Sequence, residues 1–435
     1  MKSMVGLEIM KAVLSNRIYM NVDSALQSKI DEELTYTIPP RNPQDPPFVI
    51  KNMGVIRKGL VSLPIGRTDL IPNDYEIVDK RTCIEIPHFD FAYELRPSQQ
   101  AVYDDLYDSS IINAWVSWGK TVTALAIANK LKQKTLIVTH TLQLRSQWEK
   151  EVQKSLGVTA GVLGSGRFEI DAPFVVGNIQ TLYRRIPDIQ KSFGTIILDE
   201  MHHVSSPTFT RIIDANSARY KIGLTGTMER KDGKHVIFRD YFSNTVFKPP
   251  KENYLVPRVD VVPSGIRFPD GAHTPWANRI NAIAYNFEYQ NQVALLAANY
   301  AARGHKVLVV SDRVDFLQNC TKLVGDNAIC VTGKIPHEER PPMLKQIFGE
   351  KDILFGTQSI FSEGISLDCL SCLILATPVN NEPLLTQLIG RIIRIYEGKQ
   401  QPIIVDIHLV GRTARRQAGA RMGYYIKQGY DVKAL

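Results

Sequence analysis

The stretch that decides the fold is NAWVSWGKTVTALAIANKL, residues 113–131. An apolar run of strand character passes through Gly119, Lys120 and Thr121 and continues with apolar residues at helical spacing. A strand that turns on glycine into a helix aims backbone N–H groups and a helix N-terminus at one point, where phosphates can sit. Lys120 would reach the terminal phosphates, and the Thr121 hydroxyl would reach an accompanying Mg2+. The general pattern G-x-x-x-x-G-K-[ST] has glycine where Ala114 stands, so on these residues alone GKT also fits an ordinary helix start.

Downstream, short β-branched runs alternate with helical patterns, as parallel α/β sheets require. TLIVTH, FVVGN, TIILDE and YKIGLTG form one series, and KVLVVSD, AICVTG, DILFGT, CLILATP and PIIVDI a second. Two sheets are implied. Between about 228 and 262, RKDGK and KPPKENYLVPR interrupt the periodicity as a connector would. The expected domains are therefore 1–90, 91–255 and 256–435. The first is strand-rich, with FVIKNM and LVSLPIG separated by PPRNPQDPP, and carries one amphipathic helix behind Asp23 through Leu26, Ile30 and Leu34. Its Lys51, Arg57, Lys58, Arg67, Lys80 and Arg81 suit either a solvated surface or bound phosphates, which makes it a candidate DNA-binding accessory domain.

A chain of 435 residues with 44% hydrophobic composition can bury two or three cores. The net charge of +8 leans toward an anionic partner without identifying it. Cys83, Cys320, Cys330, Cys369 and Cys372 are few and scattered, as in a reducing compartment, so a cytoplasmic location is expected. The single C-x-x-C of Cys369 and Cys372 lacks the second ligand pair of a structural zinc site. No apolar stretch approaches the roughly twenty residues that span a bilayer, and the N-terminus lacks a signal-peptide pattern, so no membrane association is expected.

Ligands of open α/β sheets bind beyond the carboxyl ends of the strands. Asp199 and Glu200 directly follow TIIL, where paired carboxylates can hold Mg2+ and orient an attacking water; a surface loop is the alternative. In GLTGT, Thr225 and Thr227 place hydroxyls at another strand end, able to relay changes at the phosphates. In QLIGRIIR, helical spacing puts Gln387, Arg391 and Arg394 on one face, with Leu388, Ile389, Ile392 and Ile393 burying the rest. Arginines delivered from a second domain stabilise transition-state charge, worth roughly 10³ to 10⁵ in rate.

The ordered series LRPSQQ, GKT, THTLQLRSQW, NIQTL, DEMHH, GLTGTMERKDG, GTQSIFSEGIS and QLIGRIIR resembles the motif set of the superfamily 2 helicases, from Leu95 to Arg394. The resemblance implies two tandem RecA-like P-loop NTPase domains with parallel sheets, an α/β fold, clamping ATP with Mg2+ between them. Ala114 fits the helicase form of the phosphate loop, whereas Ser117 and Trp118 depart from it. By the same resemblance, Arg96 and Gln99 lie near the adenine and Gly364 near the nucleotide. Ser366 stands where the family often has aspartate. His202, with Thr225 and Thr227, would couple nucleotide to nucleic acid, and Thr139, Thr181 and Thr357 would touch a nucleic-acid backbone; each alone also reads as a strand-end hydroxyl.

DExH, R-x-D-G and LPIG together are similar to phage recombination and repair helicases of the UvsW kind, which implies a monomeric motor on branched DNA. The C-terminal Arg412, Arg415, Arg416, Arg421, Lys427 and Lys433, with Tyr424 and Tyr425, fit either a phosphate-tracking surface or an exposed terminal helix. An ATP-dependent RNA helicase and an ATP-switched nucleic-acid clamp with weak hydrolysis, suggested by Trp118, are the alternatives. A restriction-type translocase subunit lacks support from any nuclease-like acidic cluster.

Overall fold

Each apolar run that follows the GKT loop finds parallel neighbours, and the register aligns their carboxyl ends. A computed structural model describes residues 10–40, 45–203, 207–228, 233–270, 274–336, 338–362, 367–379 and 381–435. The chain divides into two units, Met1–Lys251 and Glu252–Leu435.

The first unit is built on an eight-stranded sheet in the order Arg167–Phe168, Gly161–Gly164, Phe174–Asn178, Thr135–Thr139, Thr195–Leu198, Tyr220–Thr225, Ser110–Asn113, Val246–Phe247. All neighbours are parallel except the pair made by Arg167–Phe168. Thr225 lies opposite Asn113, Leu198 opposite both Gly223 and Val138, and Thr139 opposite Asn178. Ala114, Gly226, Asp199 and His140 therefore leave the sheet along one edge. Leu136, Ile137, Ile196 and Ile197 are fully buried because helices cover both faces, which is why these strands read as unbroken apolar runs.

The N-terminal region forms its own five-stranded sheet, ordered Gly54–Arg57, Leu60–Pro64, Arg17–Asn21, Lys11–Leu14, Glu76–Asp79, beside the hairpin of Thr35–Ile38 with Phe48–Lys51. The expected helix is Ser24–Glu33; Asp23 caps it by accepting from Leu26 N at 2.7 Å, and Ile30 and Leu34 are buried. Two carboxylates of the large-sheet region hold this module. Asp240 accepts from Tyr36 Oη at 2.8 Å and Asn52 Nδ2 at 2.7 Å, and Asp214 pairs with Arg17 Nη1 at 2.7 Å.

The second unit carries a seven-stranded, all-parallel sheet ordered Ala328–Val331, Ile353–Thr357, Val307–Ser311, Cys372–Leu375, Ile403–Val410, Arg258–Arg267, Asp431–Ala434. The two units divide within 228–262, between Lys251 and Glu252, but the strand Arg258–Arg267 corrects the connector reading of that stretch from Arg258 onward. Its polar residues hid it: Asp260 is buried but accepts from Arg258 Nε at 2.8 Å and Tyr300 Oη at 2.7 Å, and the register shifts after Pro263.

The phosphate-tracking reading of the C-terminus is also corrected in part. On the helix Arg412–Lys427, Arg421 is buried and grips both oxygens of Asp406, with Nη2 at 2.6 Å from Oδ1 and Nε at 2.9 Å from Oδ2. Tyr424 and Tyr425 are buried beside it, so these three residues hold the helix to its sheet. Arg412, Arg415 and Arg416 remain exposed. Cys372 is a fully buried strand residue, and among the described residues no His, Cys, Asp and Glu cluster could hold a metal with three or more such ligands. Among the described residues, no helix is long and apolar enough to cross a membrane.

Candidate nucleotide site

The loop between the strand Ser110–Asn113 and the helix Lys120–Leu131 turns on Gly119, whose φ is +90°. A side chain there would be strained by that φ and would place its Cβ 2.6 Å from Gln99 Nε2, so the position favours glycine. The loop is strapped from behind. Trp118 O accepts from Gln99 Nε2 at 2.9 Å and from Arg96 Nη2, while Gln99 Oε1 accepts from Arg96 N at 2.9 Å. The Trp118 indole, which departs from the family pattern, is fully buried among Val102, Leu106, Ala124 and Leu125 and donates to Ser98 Oγ at 2.7 Å. Arg96 and Gln99, expected near an adenine, thus lie against the phosphate loop and shape it.

Lys120 Nζ donates to Ala114 O at 3.1 Å, and Ala114 N donates to Thr225 O at 3.0 Å, which ties the loop to the GLTGT strand. Thr225 Oγ1 closes the next turn, accepting from Thr227 N at 3.1 Å and donating to Thr227 O at 2.8 Å. Thr121, the second residue of the helix, is half-buried.

At the end of the strand Thr195–Leu198, the Asp199 carboxylate takes one donor on each oxygen, Glu200 N on Oδ1 at 2.9 Å and Trp148 Nε1 on Oδ2 at 2.8 Å. Glu200 Oε2 lies 3.2 Å from His202 Nδ1. Burial and the neighbouring Glu200 push Asp199 above the usual carboxylate range. Burial also pushes Glu200 up, but His202, Lys120 and His140 outweigh it and hold its carboxyl well below that range. The buried Asp199 and the half-buried Glu200 adjoin within the field of the Lys120 ammonium, carboxylate charge that a divalent cation would offset. This donor set and the glycine cradle fit a magnesium-bound nucleotide triphosphate. The sequence placed Lys120, Asp199, Glu200 and His202 in one site, and the structure brings them together.

The hydroxyls expected on a nucleic-acid backbone fare differently. Thr139 is fully buried and donates to Gly177 O at 3.3 Å, and Thr357 Oγ1 is sealed from solvent, so both are strand-end hydroxyls in this structure. Thr181, half-buried on Ile179–Arg184, lies beside an unforeseen cluster in which Arg145 Nη1 donates to Asn178 Oδ1 at 2.9 Å and Ser165 Oγ at 3.1 Å. Arg145 and Trp148 stand one turn apart on the helix Leu142–Leu156, facing the sheet edge, a spacing visible in THTLQLRSQW once that helix is placed.

In the second unit, Gln387 and Arg391 lie on the helix Glu382–Ile392, but Arg394 does not. The shared helical face is corrected: Leu255 N takes the Ile393 carbonyl at 2.7 Å and Lys399 Nζ takes that of Arg394 at 2.8 Å, so the chain leaves the helix there. Arg394 Nη1 pairs with Asp368 Oδ1 at 3.1 Å, and Arg391 Nε donates to Phe361 O at 2.7 Å. Gly364 and Ser366 lie outside the described residues.

Comparison with known proteins agrees with this geometry. Residues 92–230 match the family described as type III restriction enzyme, res subunit, and residues 291–417 match the helicase conserved C-terminal domain. "Probable helicase D10" of Escherichia phage T5 is 40% identical over 433 residues, covering 97% of this chain and 96% of that protein. "ATP-dependent DNA helicase uvsW" of Enterobacteria phage T4 is 24% identical, covering 77% of this chain and 73% of that protein. The solved structure of S. cerevisiae Dbp5 bound to RNA and ADP BeF3 shares the fold, with a TM-score of 0.58, 11% identity, and coverage of 78% of this chain and 89% of that one. A phosphate loop, an Asp–Glu pair at the end of the next strand but one and a near full-length helicase relative lead to one conclusion: this chain belongs to the superfamily 2 DExH helicases, enzymes that hydrolyse ATP.

Proposed function

We propose that the chain is a DNA motor that uses ATP hydrolysis to remodel branched DNA, such as forks or Holliday junctions. The observation that carries the reading is the convergence of Lys120, Asp199 and Glu200 on one sheet edge beneath a loop that turns on Gly119 at a positive φ. The DNA assignment is supported by the likeness to the T4 relative named as a DNA helicase.

In this reading Lys120 binds the terminal phosphates, and Gly119 with the helix N-terminus cradles them. Thr121 and Asp199 hold Mg2+, which when bound neutralises charge on the phosphate oxygens. Glu200, kept ionised by His202, orients the attacking water. Gln387, Arg391 and Arg394 act on the charge that develops as the terminal phosphoryl group transfers. His202 and the Thr225–Thr227 turn relay the nucleotide state, and Thr181 with the Arg145 cluster contacts the nucleic-acid backbone. The alternative of an ATP-switched clamp rested on Trp118, whose indole is a core residue.

The test measures ATP turnover and strand conversion on a synthetic fork, a Holliday junction, plain duplex and structured RNA side by side. The expected result is strongest stimulation and conversion with the branched DNAs; preference for structured RNA would replace this reading with that of an RNA helicase. Lys120→Ala should lower turnover by about a hundredfold or more while nucleic-acid affinity changes only a few-fold, because backbone contacts supply most of that affinity. Equal loss of both would count against it.

A further inference from the structure

Trp148 is among the largest fully buried side chains of the first unit, packed with Ile137, Val152, Phe174 and Ile197. Apolar side chains alone could fill this part of the core, and nothing in an apolar core asks for an N–H group. A buried indole N–H needs an acceptor. Here the acceptor is not a nearby carbonyl but Asp199 Oδ2, 2.8 Å away and 51 residues further along the chain. The other oxygen, Oδ1, is held by Glu200 N at 2.9 Å. With one donor on each oxygen the carboxylate cannot rotate about its own axis, yet each oxygen keeps a lone pair for another partner.

We propose that Trp148 is a positioning residue for the ATPase centre, its indole N–H fixing the direction in which Asp199 presents its free lone pairs to the nucleotide's metal ion. The inference rests on the reading above that Asp199 faces Mg2+. The indole N–H only donates, so Trp148 itself neither binds the ion nor moves a proton. Its role is that of an outer partner of a metal-facing carboxylate, a class whose loss weakens metal affinity by about 10- to 100-fold.

Trp148→Phe keeps an aromatic side chain and removes the donor, and, being one ring smaller, it also leaves a small cavity. In this variant the Mg2+ concentration giving half-maximal ATP turnover should rise by about tenfold or more, and Mg2+-dependent ADP binding should weaken in step. ADP binding in EDTA should stay near wild type, and the thermal midpoint should fall only by the few degrees that a small core cavity costs. In the wild-type protein, Mg2+ added to the ADP complex should change tryptophan emission, and Trp148→Phe should lose most of that change. An unchanged Mg2+ requirement with a lowered thermal midpoint would reduce Trp148 to core filling and overturn the proposal, as would a silent wild-type emission. Asp199→Asn separates the two levels: if it keeps wild-type Mg2+ dependence, the placement of the metal at Asp199 fails, whatever Trp148→Phe does.

Discussion

At Glu200 the backbone takes a φ of +50°, a left-handed conformation that costs a non-glycine residue on the order of 1–3 kcal/mol. The strain turns the carboxylate to His202 while Asp199, one residue earlier, keeps its own pair of donors. The doublet was legible in TIILDE, but the turn between its two members was not, since it depends on partners at the sheet edge. Lys221 was not legible at all. It is buried on the strand Tyr220–Thr225, where Nζ donates to Ile213 O at 2.7 Å. Burial, opposed by Asp214, lowers its pKa from 10.5 to about 7. The unfolded chain therefore binds more protons than the native one between those values, and the native state gains stability as pH rises across that window. Lys221→Met removes this dependence. Its stability relative to wild type should be most favourable near pH 7 and decline toward pH 9 by up to about 1.4 kcal/mol per pH unit, measured by urea unfolding at each pH. A difference that does not vary with pH would show that Lys221 stays ionised in the core.

At the scale of elements, the helix Glu382–Ile392 shows how far periodicity carries. Leu388, Ile389 and Ile392 bury the face their spacing foretold, yet the helix ends at Ile392, and the carbonyls just beyond it, of Ile393 and Arg394, bond Leu255 N and Lys399 Nζ instead of continuing the helix. Arg394 instead pairs with Asp368 near the surface, where such pairs contribute about 0–1 kcal/mol. Arg394→Ala and Arg391→Ala should each slow ATP turnover by on the order of a hundredfold while affinity for a labelled nucleotide changes much less, and Arg394→Ala should leave the thermal midpoint nearly unchanged. A pure affinity defect in both would remove the transition-state role. The arginine of the last helix went the other way: Arg421 looked like a surface charge and is a buried partner of Asp406.

Across the first unit as a whole, the N-terminal module is fastened to the larger sheet region chiefly at Asp240. The carboxylate is fully buried, with Tyr36 and Asn52 donating to it and Arg67 Nη1 3.6 Å away. Gly66 packs so closely there that a Cβ would sit 2.1 Å from Arg239 O. Asp240→Ala leaves these groups without their acceptor, at a cost of about 3–5 kcal/mol, and should release the module first. Limited proteolysis should then cut within the first eighty or so residues at temperatures where ATP turnover persists, whereas one cooperative loss of both would show that the module and the large sheet fold as a single block. For the chain as a whole, the amino-acid order by itself determined the parallel α/β architecture, the two series of strands and the charged residues that follow them. Those signals arise from side-chain periodicity and turn chemistry within a few residues. Only the tertiary structure decided that Thr139 is sealed, that Trp118 points into the core, that Trp148 reaches Asp199 and that Asp240 anchors a distant module. Burial and hydrogen-bond partnership depend on residues tens to hundreds of positions apart, and local pattern carries no record of which of them will meet.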